Sequence, residues 1–322
     1  MIMSISLPVI QPALNAAPGG ASSRGSHRLA EIDDCPRRWW LRWGLGLEAK
    51  GEPPNWATEG TIIHLALAYW FASKLPVKPR WFEEKTLQEA LDEEAKGNPQ
   101  LVALALGVLR AYTNRMSGDG WVPVAVEHEF TASIGEIRRL VDPDARPAEG
   151  DDQTISARID LMAISNGLLW AVDHKTTHKG YGEHLPRWNE EGEYALKWQF
   201  LVQALIIRAW LVREGHSPGV LGGVIVQRIK KKPPFDCDRN PVILPRRAYR
   251  EAAERLRQQV LKEQVLIAEA LAARARGEEW MPLGHYWNCF QFGSTCQFRR
   301  VCLADDPETI RMVIQTDYQR AA

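Results

Sequence analysis

The stretch ISARIDLMAISNGLLWAVDHKT, residues 155–176, decides the fold of this chain. Asn166-Gly167 lies between two apolar, strand-like runs, and this dipeptide is a strong signal for a two-residue type I′ turn. If these two residues form the loop, Ser165 pairs with Leu168. The stretch therefore predicts a β-hairpin with strands over about 155–164 and 168–176.

This pairing places four charged side chains on one face of the hairpin. Asp160 falls opposite Asp173 and Arg158 opposite Lys175, and the two-residue period of a strand aligns all four. Opposed Cβ atoms lie about 4.5–5.5 Å apart, so the two carboxylates repel each other unless one is protonated or a cation lies between them. Oxygen ligands at that spacing suit Mg²⁺ or Mn²⁺.

A positive group beside that cation, at Lys175, is able to orient a water and stabilise a phosphate in its transition state. The alternative is a solvated sheet face, on which Arg158 and Lys175 are only cross-strand partners of the two carboxylates. The strongly apolar neighbours of the two aspartates argue against a solvated face.

Other segments predict the elements around the hairpin. A strand is predicted over residues 121–130 and another over 220–229, and a buried helix over 61–72 because it is apolar on all sides. Further helices are predicted over 26–34, within 83–115, over 193–213 and over 246–276. Residues 1–25 are rich in Pro, Gly, Ser and Ala and are predicted to be disordered.

Composition sets limits on partners and compartment. The formal net charge of the 322 residues is zero, so any nucleic-acid contact must come from local Lys and Arg clusters. No apolar run reaches the length of a spanning helix, and the prolines near the N-terminus disfavour a signal peptide. We therefore expect a cytoplasmic protein without membrane contact, whose five cysteines are thiols or metal ligands rather than disulfides.

Three short motifs carry a family resemblance. Asp173-His174-Lys175 matches a (D/E)-x-K signature, and Asp160 matches the metal-binding aspartate that precedes it, with Ala157 where a glycine is common. Gly60 and His64 match a G-x-x-x-H helix motif. In these motifs the chain resembles the PD-(D/E)XK nuclease superfamily, in particular its RecB-, Cas4- and AddB-like branch, which includes phage exonucleases.

The resemblance implies an α/β fold with a restriction-endonuclease-like core, in which helices flank a mixed central sheet, over residues 26–303. Residues 304–322 would be a C-terminal tail. Among the site residues, His64, Asp160, Asp173 and the backbone carbonyl of His174 would hold the Mg²⁺ or Mn²⁺ ion. Lys175 would position the attacking water.

Gln199 matches the first position of a Q-x-x-x-Y motif that shapes the site in this branch, although residue 203 is Gln rather than Tyr. Two structural alternatives stand beside these assignments. His64 on an apolar helix is by itself more typical of a core histidine, and Gln199 with Gln203 is also compatible with a polar stripe on a helix.

Four cysteines resemble the ligand set of a [4Fe–4S] cluster. In the resembling branch one cysteine before the core and three near the C-terminus hold the cluster, and here Cys35, Cys289, Cys296 and Cys302 take those places. Six residues separate Cys289 from Cys296 where two are common, whereas the five-residue gap to Cys302 matches. The cluster would clasp the chain ends together; structural Zn²⁺, with His285 as a possible ligand, and free buried thiols are the alternatives.

The predicted function is that of a metal-dependent DNA exonuclease of phage or repair and recombination type. Its partner would be DNA, single-stranded or at duplex ends, and a helicase or recombination protein is a further possible partner. The basic run from Arg228 to Lys232 and the arginines near the cysteines, Arg37, Arg38, Arg42, Arg299 and Arg300, are the predicted phosphate contacts. The alternatives are a non-catalytic DNA-binding or assembly module and a redox enzyme that uses the cluster.

Overall fold

The computed structural model describes residues 22, 24–50, 55–177, 197–242, 244–285, 289, 296–304 and 306–320. Most of the predicted disordered tail, residues 1–21 and 23, lies outside the described residues. The first residues of the helix predicted over 193–213 also lie outside them.

Seven strands are present in the described ranges. They are β1 Leu47–Ala49, β2 Val122–Ser133, β3 Thr154–Ser165, β4 Leu168–Thr177, β5 Leu221–Lys230, β6 Cys237–Val242 and β7 Tyr318–Arg320. Strands β2 to β6 form one sheet in the order β2-β3-β4-β5-β6. Because β4 and β5 run parallel while the other pairs are antiparallel, the sheet is mixed, as expected.

Helices cover both faces of this sheet. They are α1 Ser26–Asp34, α2 Pro36–Trp39, α3 Asn55–Ala72, α4 Arg80–Glu84, α5 Leu87–Glu94, α6 Pro99–Met116, α7 Ile134–Val141, α8 Trp198–Arg213, α9 Arg246–Ala275, α10 Arg299–Cys302 and α11 Pro307–Asp317. Apolar residues of α1, α7, α8 and α9 form a core against one face, and those of α3, α5 and α6 form a second core against the other. The expected α/β fold with a mixed central sheet flanked by helices is confirmed.

The hairpin turn has the predicted geometry. Asn166 has φ 50° and Gly167 φ 73°, so both turn residues have the positive φ that a type I′ turn requires. Ser165 pairs with Leu168 as predicted, and the antiparallel ladder continues in that register as far as Leu161 and Val172.

Beyond Leu161 the two strands of the hairpin separate, so the predicted pairs Asp160–Asp173 and Arg158–Lys175 are not part of the ladder. The reason is that each strand follows its outer neighbour. Strand β3 stays paired with β2 as far as Thr154, whereas β4 pairs with β5 as far as Thr177. The prediction of direct cross-strand pairing was wrong for these residues, and a cleft opens between the strands where the charged side chains lie.

Segments from the N-terminal and C-terminal parts of the described chain meet on one side of the molecule. Strands β1 and β7 pair antiparallel, and a third apolar cluster contains Leu41 and Leu47 together with Phe298 and Tyr318. The segment assigned to a C-terminal tail thus contributes α11 and β7 to this contact. Backbone pairing and apolar packing join the ends independently of any cysteine.

Among the helices that the structure describes, none is both long enough and apolar enough to cross a membrane.

Candidate active site

A cavity of about 180 Å³ opens where β3 and β4 separate. Its wall comes from β2, β3 and β4, from helix α3 on one side of the sheet and from α1 and α8 on the other. The polar and charged residues that line it are Ser22, Ser26, His27, His64, Glu127, Ser156, Arg158, Asp160, Asp173, Lys175, Gln199 and Gln203. The four charged hairpin residues therefore share one cavity, as the strand period predicted, although they are not ladder partners.

Asp160 bridges the gap between the separated strands. Its Oδ2 accepts a hydrogen bond of 2.7 Å from the backbone N–H of His174, and the Nδ1 atom of His64 lies 3.6 Å from the same oxygen. Burial raises the pKa of the Asp160 carboxyl, His64 lowers it and the charge of Asp173 raises it; the net shift is upward. A nearby cation would therefore stabilise the ionised form of the Asp160 carboxyl.

Asp173, Lys175 and Gln199 form a compact triangle. Lys175 Nζ lies 2.8 Å from Asp173 Oδ2, Gln199 Nε2 donates to Asp173 Oδ1 at 2.7 Å, and Lys175 Nζ donates to Gln199 Oε1 at 3.3 Å. The contact between Lys175 and Asp173 Oδ2 is a short ion pair, so both oxygens of the Asp173 carboxylate have a partner within the triangle. Gln199 contacts both other members and fixes their relative position.

Lys175 is held in its charged form. Burial alone would lower the pKa of the Lys175 ammonium, but the carboxylate of Asp173 more than offsets this, and the pKa is raised. A protonated Lys175 donates hydrogen bonds and supplies positive charge at neutral pH; it does not act as a general base there.

The two histidines beside Asp160 differ in environment. His64, on α3, lines the cavity, whereas the His174 side chain is 3% exposed and stacks on Phe71 with ring centroids 5.8 Å apart. Burial lowers the pKa of His174 well below its usual value, so its ring is neutral. Of the two residues, only His64 lines the cavity, while the buried His174 ring places its Nδ1 atom 3.7 Å from Asp160 Oδ2.

Two titratable residues of the cavity, His27 and Glu127, had no role in the sequence analysis, and Gln203 was considered there only as part of a polar stripe. His27 enters from α1, which lies far from the hairpin in sequence, and Glu127 comes from β2, opposite Asp160 in the register. Gln203 follows Gln199 by one turn of α8 and is 6% exposed. The alternation of VAVEHEF predicted a strand for Glu127, but no sequence signal paired that strand with the hairpin.

Within the described ranges, no group of three or more His, Cys, Asp or Glu side chains is arranged so that it could hold a metal ion. In the arrangement seen, Asp173 contacts Lys175 and Gln199, and Asp160 contacts the N–H of His174. Both carboxylates thus face the cavity while contacting protein groups.

The four predicted cluster cysteines line one small cavity on the side where the chain ends meet. Cys35 lies there with Cys289, Cys296 and Cys302, next to Arg38, His285 and Phe298. All four are free thiols, and the backbone N–H of His285 lies 3.4 Å from the Cys35 sulfur as a hydrogen-bond donor. Burial raises the pKa of Cys296 and of Cys302, which favours their thiol forms.

Cys237 is separate from these four. It is 2% exposed in β6, and burial raises its pKa to about 11. Such a residue behaves as a small apolar side chain with an unreactive thiol.

In the basic run from Arg228 to Lys232, Lys232 is exposed, but three other members are not the exposed phosphate contacts that the sequence indicated. Arg228, Lys230 and Lys231 are 2%, 5% and 4% exposed. Arg228 forms an ion pair with Asp238 on β6, and Lys231 Nζ lies 3.0 Å from Glu59 on α3. Arg228 thus joins β5 to β6, and Lys231 joins the residue after β5 to α3.

Residues 26–303 match the family model described as the PD-(D/E)XK nuclease superfamily. No curated protein matches the chain significantly. A solved structure titled "Crystal structure of SSO0001" shares 14% sequence identity, over 61% of this chain and 73% of that chain, with a TM-score of 0.26.

Proposed function

The chain belongs to the PD-(D/E)XK nuclease superfamily, whose members are generally nucleases, and from this premise we propose that it is a DNA nuclease dependent on Mg²⁺ or Mn²⁺. The observation that carries the proposal is the convergence of Asp160, Asp173 and Lys175 on one cavity, with Lys175 held 2.8 Å from Asp173. These are the residue types that phosphodiester hydrolysis by this superfamily needs.

By their chemistry, rather than by their present arrangement, the donors of the cavity suit a hard divalent cation. The half-buried carboxylate of Asp160 and the buried carboxylate of Asp173 face one cavity, and the pKa of Asp160 is raised. Asp160, Asp173, His64 and the backbone carbonyl of His174 would hold the ion. When bound, it would supply Lewis-acid stabilisation of the charge that builds on the phosphate oxygens.

The remaining residues act on the water and on the phosphate. Lys175, as an ammonium group, donates a hydrogen bond to the attacking water and balances the negative charge of the transition state. Gln199 holds the Lys175 and Asp173 side chains in fixed relative positions, since its amide contacts both of them. His64 lies on the α3 side of the cavity, with its Nδ1 atom 3.6 Å from Asp160 Oδ2, where it would join Asp160 in holding the ion.

We also propose that the four cysteines hold a [4Fe–4S] cluster. Four free thiols around one cavity are a suitable donor set for a cubane cluster, with structural Zn²⁺ as the alternative. The N–H of His285 directed at Cys35 is the kind of hydrogen bond that stabilises a ligating thiolate. The cluster would reinforce the contact between chain ends that β1 and β7 already make.

The resemblance to the RecB-, Cas4- and AddB-like branch supports action from DNA ends, in repair, recombination or a phage pathway, with a helicase or recombination protein as partner. A cleavage assay tests these points. The purified chain is incubated with linear and circular DNA, single- and double-stranded, with Mg²⁺, with Mn²⁺ or with EDTA.

We expect cleavage only with a divalent cation and faster loss of linear than of circular DNA. DNA binding without cleavage under every metal condition would instead identify a non-catalytic DNA-binding module. Equal cleavage of circular and linear DNA would contradict the exonuclease assignment while leaving the nuclease assignment intact.

Anaerobic purification tests the cluster separately. We expect about four irons per chain and a visible absorbance band, both lost in Cys35→Ser and both retained in the control Cys237→Ser. One Zn²⁺ per chain without iron would identify the alternative metal.

A further inference from the structure

We propose that the N-terminal end of helix α1 binds a backbone phosphate of the DNA strand on the α1 side of the active-site cavity. The phosphate would accept hydrogen bonds from the backbone N–H groups of Ser26 and His27 and from the Ser26 hydroxyl. The inference rests on the proposed function and deepens it, because it adds a substrate contact to which the assignment above gives no residue.

The start of α1 has hydrogen-bond donors without acceptors. The helix begins at Ser26, no side chain caps it at Gly25, and its first turn contains no acidic residue. The N–H groups of Ser26, His27 and Arg28 have no acceptor among the described residues. Such N–H groups, together with the helix dipole, favour the binding of an anion at this end of the helix.

The Ser26 side chain is an independent indication of a ligand at the same place. Ser26 is 7% exposed and lines the cavity, and its hydroxyl makes no hydrogen bond to another described residue. A buried hydroxyl without a partner is disfavoured, and a phosphate oxygen in the cavity would accept a hydrogen bond from it. The hydroxyl and the helix start therefore suit one kind of ligand, an anion with several acceptor oxygens.

The charged groups beside the helix start are already paired. Arg24 and Arg28 both form ion pairs with the buried carboxylate of Glu263 on α9. His27 is exposed and lines the same cavity, so its ring is an additional donor at the cavity mouth. The phosphate contact thus consists mainly of directional hydrogen bonds rather than of free positive charges.

Hydrogen bonds hold the start of α1 against β3. The N–H of Arg24 donates to Ser156 Oγ at 3.0 Å, and the N–H of Ser156 donates to the carbonyl oxygen of Arg24 at 3.1 Å. Ser156 and Asp160 are four residues apart on one face of β3, so their Cα atoms are separated by about 13 Å. The bound phosphate would therefore belong to a nucleotide near the scissile phosphodiester. Its binding would set the position of the DNA strand relative to the catalytic residues.

The test replaces single phosphates of the DNA by neutral methylphosphonates. A labelled single-stranded oligonucleotide with hydroxyl ends is bound to the full-length chain in Ca²⁺, and fluorescence anisotropy gives the dissociation constant for each substituted position. Besides any effect at the scissile phosphate, we expect one methylphosphonate nearby to weaken binding by about tenfold, because hydrogen bonds to a charged acceptor are lost. Cleavage of the same oligonucleotide in Mn²⁺ identifies the scissile position.

Variants of the helix start separate binding from stability. His27→Asp places a carboxylate at the second position of α1, where it stabilises the helix but repels a phosphate. Its unfolding temperature should not fall, DNA binding should weaken by at least about tenfold, and the nearby methylphosphonate should have no further effect. Ser26→Ala should weaken binding less, again without a lower unfolding temperature, because the lost hydroxyl has no protein partner. The matched control Gln100→Asp, at the exposed second position of α6 and outside the cavity lining, should bind DNA as the natural chain does.

The failure of the inference differs from the failure of the proposed function. If the natural chain cleaves DNA but shows no sensitive phosphate beside the scissile one, or if His27→Asp keeps that sensitivity unchanged, the nuclease assignment stands and the phosphate contact at α1 does not exist. If the natural chain neither binds nor cleaves DNA, the proposed function itself is wrong and the inference falls with it.

Discussion

Replacing Lys175 with methionine tests the proposed mechanism most directly. Methionine keeps much of the length of the lysine side chain and removes its charge and its donor hydrogens. Loss of one preorganised donor to a transition-state charge typically lowers kcat by about 10²–10³-fold, or about 3–4 kcal/mol. We expect a loss of that size in Lys175→Met, measured as single-turnover cleavage of a labelled duplex.

The free energy of unfolding should change far less than the free energy of activation for cleavage. The Lys175 side chain is 41% exposed, so its ion pair with Asp173 is screened by solvent and contributes about 1 kcal/mol or less to the free energy of unfolding. Domains of ordinary stability, with about 5–15 kcal/mol, remain folded after such a change. The raised pKa of Lys175 leaves this contribution fully present below its usual value of 10.5, and it is lost only as the pH rises above that value.

Comparison at pH 7–9 therefore separates catalysis from stability. Lys262→Met is the matched control, since Lys262 pairs with Asp33 on the surface, away from the cavity. Equal urea midpoints for the two variants, with cleavage lost only in Lys175→Met, are the expected result. Metal-dependent cleavage by a folded Lys175→Met within about threefold of the natural rate would refute the role of Lys175.

Three further variants probe the surroundings of the site. Gln199→Ala should slow cleavage by about 10–100-fold, because Asp173 loses a donor at 2.7 Å; an unchanged rate would remove the positioning role. Glu263→Ala should lower the free energy of unfolding by about 3 kcal/mol in urea titration, since the glutamate is fully buried and pairs with two arginines of the α1 region. Asp33→Asn should lower the free energy of unfolding by about 1 kcal/mol or less at pH 7. Hydrogen bonds from α9, chiefly from Lys262, outweigh the effect of burial and hold the pKa of the Asp33 carboxyl below 3.8. The Asp33→Asn difference should vanish as the pH falls through that depressed pKa, and a difference that persists in acid would contradict the ion-pair account.

Local sequence signals were sufficient for most elements. The Asn166-Gly167 turn set the pairing register next to it. Two adjacent residues with positive φ form a turn that matches the twist of the flanking strands and determines which residues pair. The strand predicted over 220–229 corresponds to β5, and the helix predicted over 246–276 corresponds to α9, each within one residue at its ends. Such patterns depend on neighbours a few residues away, which a single sequence displays.

The sequence was misleading wherever burial depended on a distant strand. The run from Arg228 to Lys231 has the charge of an exposed patch, but its strand lies between β4 and β6, and partners on β6 and α3 neutralise two of its side chains. Likewise, the pairing of Asp160 with Asp173 was extrapolated from the turn. The β3–β4 ladder ends before these residues because β3 remains paired with β2 and β4 remains paired with β5.

By itself the sequence determined the hairpin, its turn and the presence of Asp160, Asp173 and Lys175 on one side of it, because turn chemistry and strand period are local properties. Only the tertiary structure decided that the strands separate at Asp160, that Glu127 and Gln203 enter the same cavity, and that Cys35 reaches the C-terminal cysteines. Those contacts join segments far apart in the chain. Their formation depends on which strands and helices pack together, and packing is a property of the whole chain rather than of any one stretch.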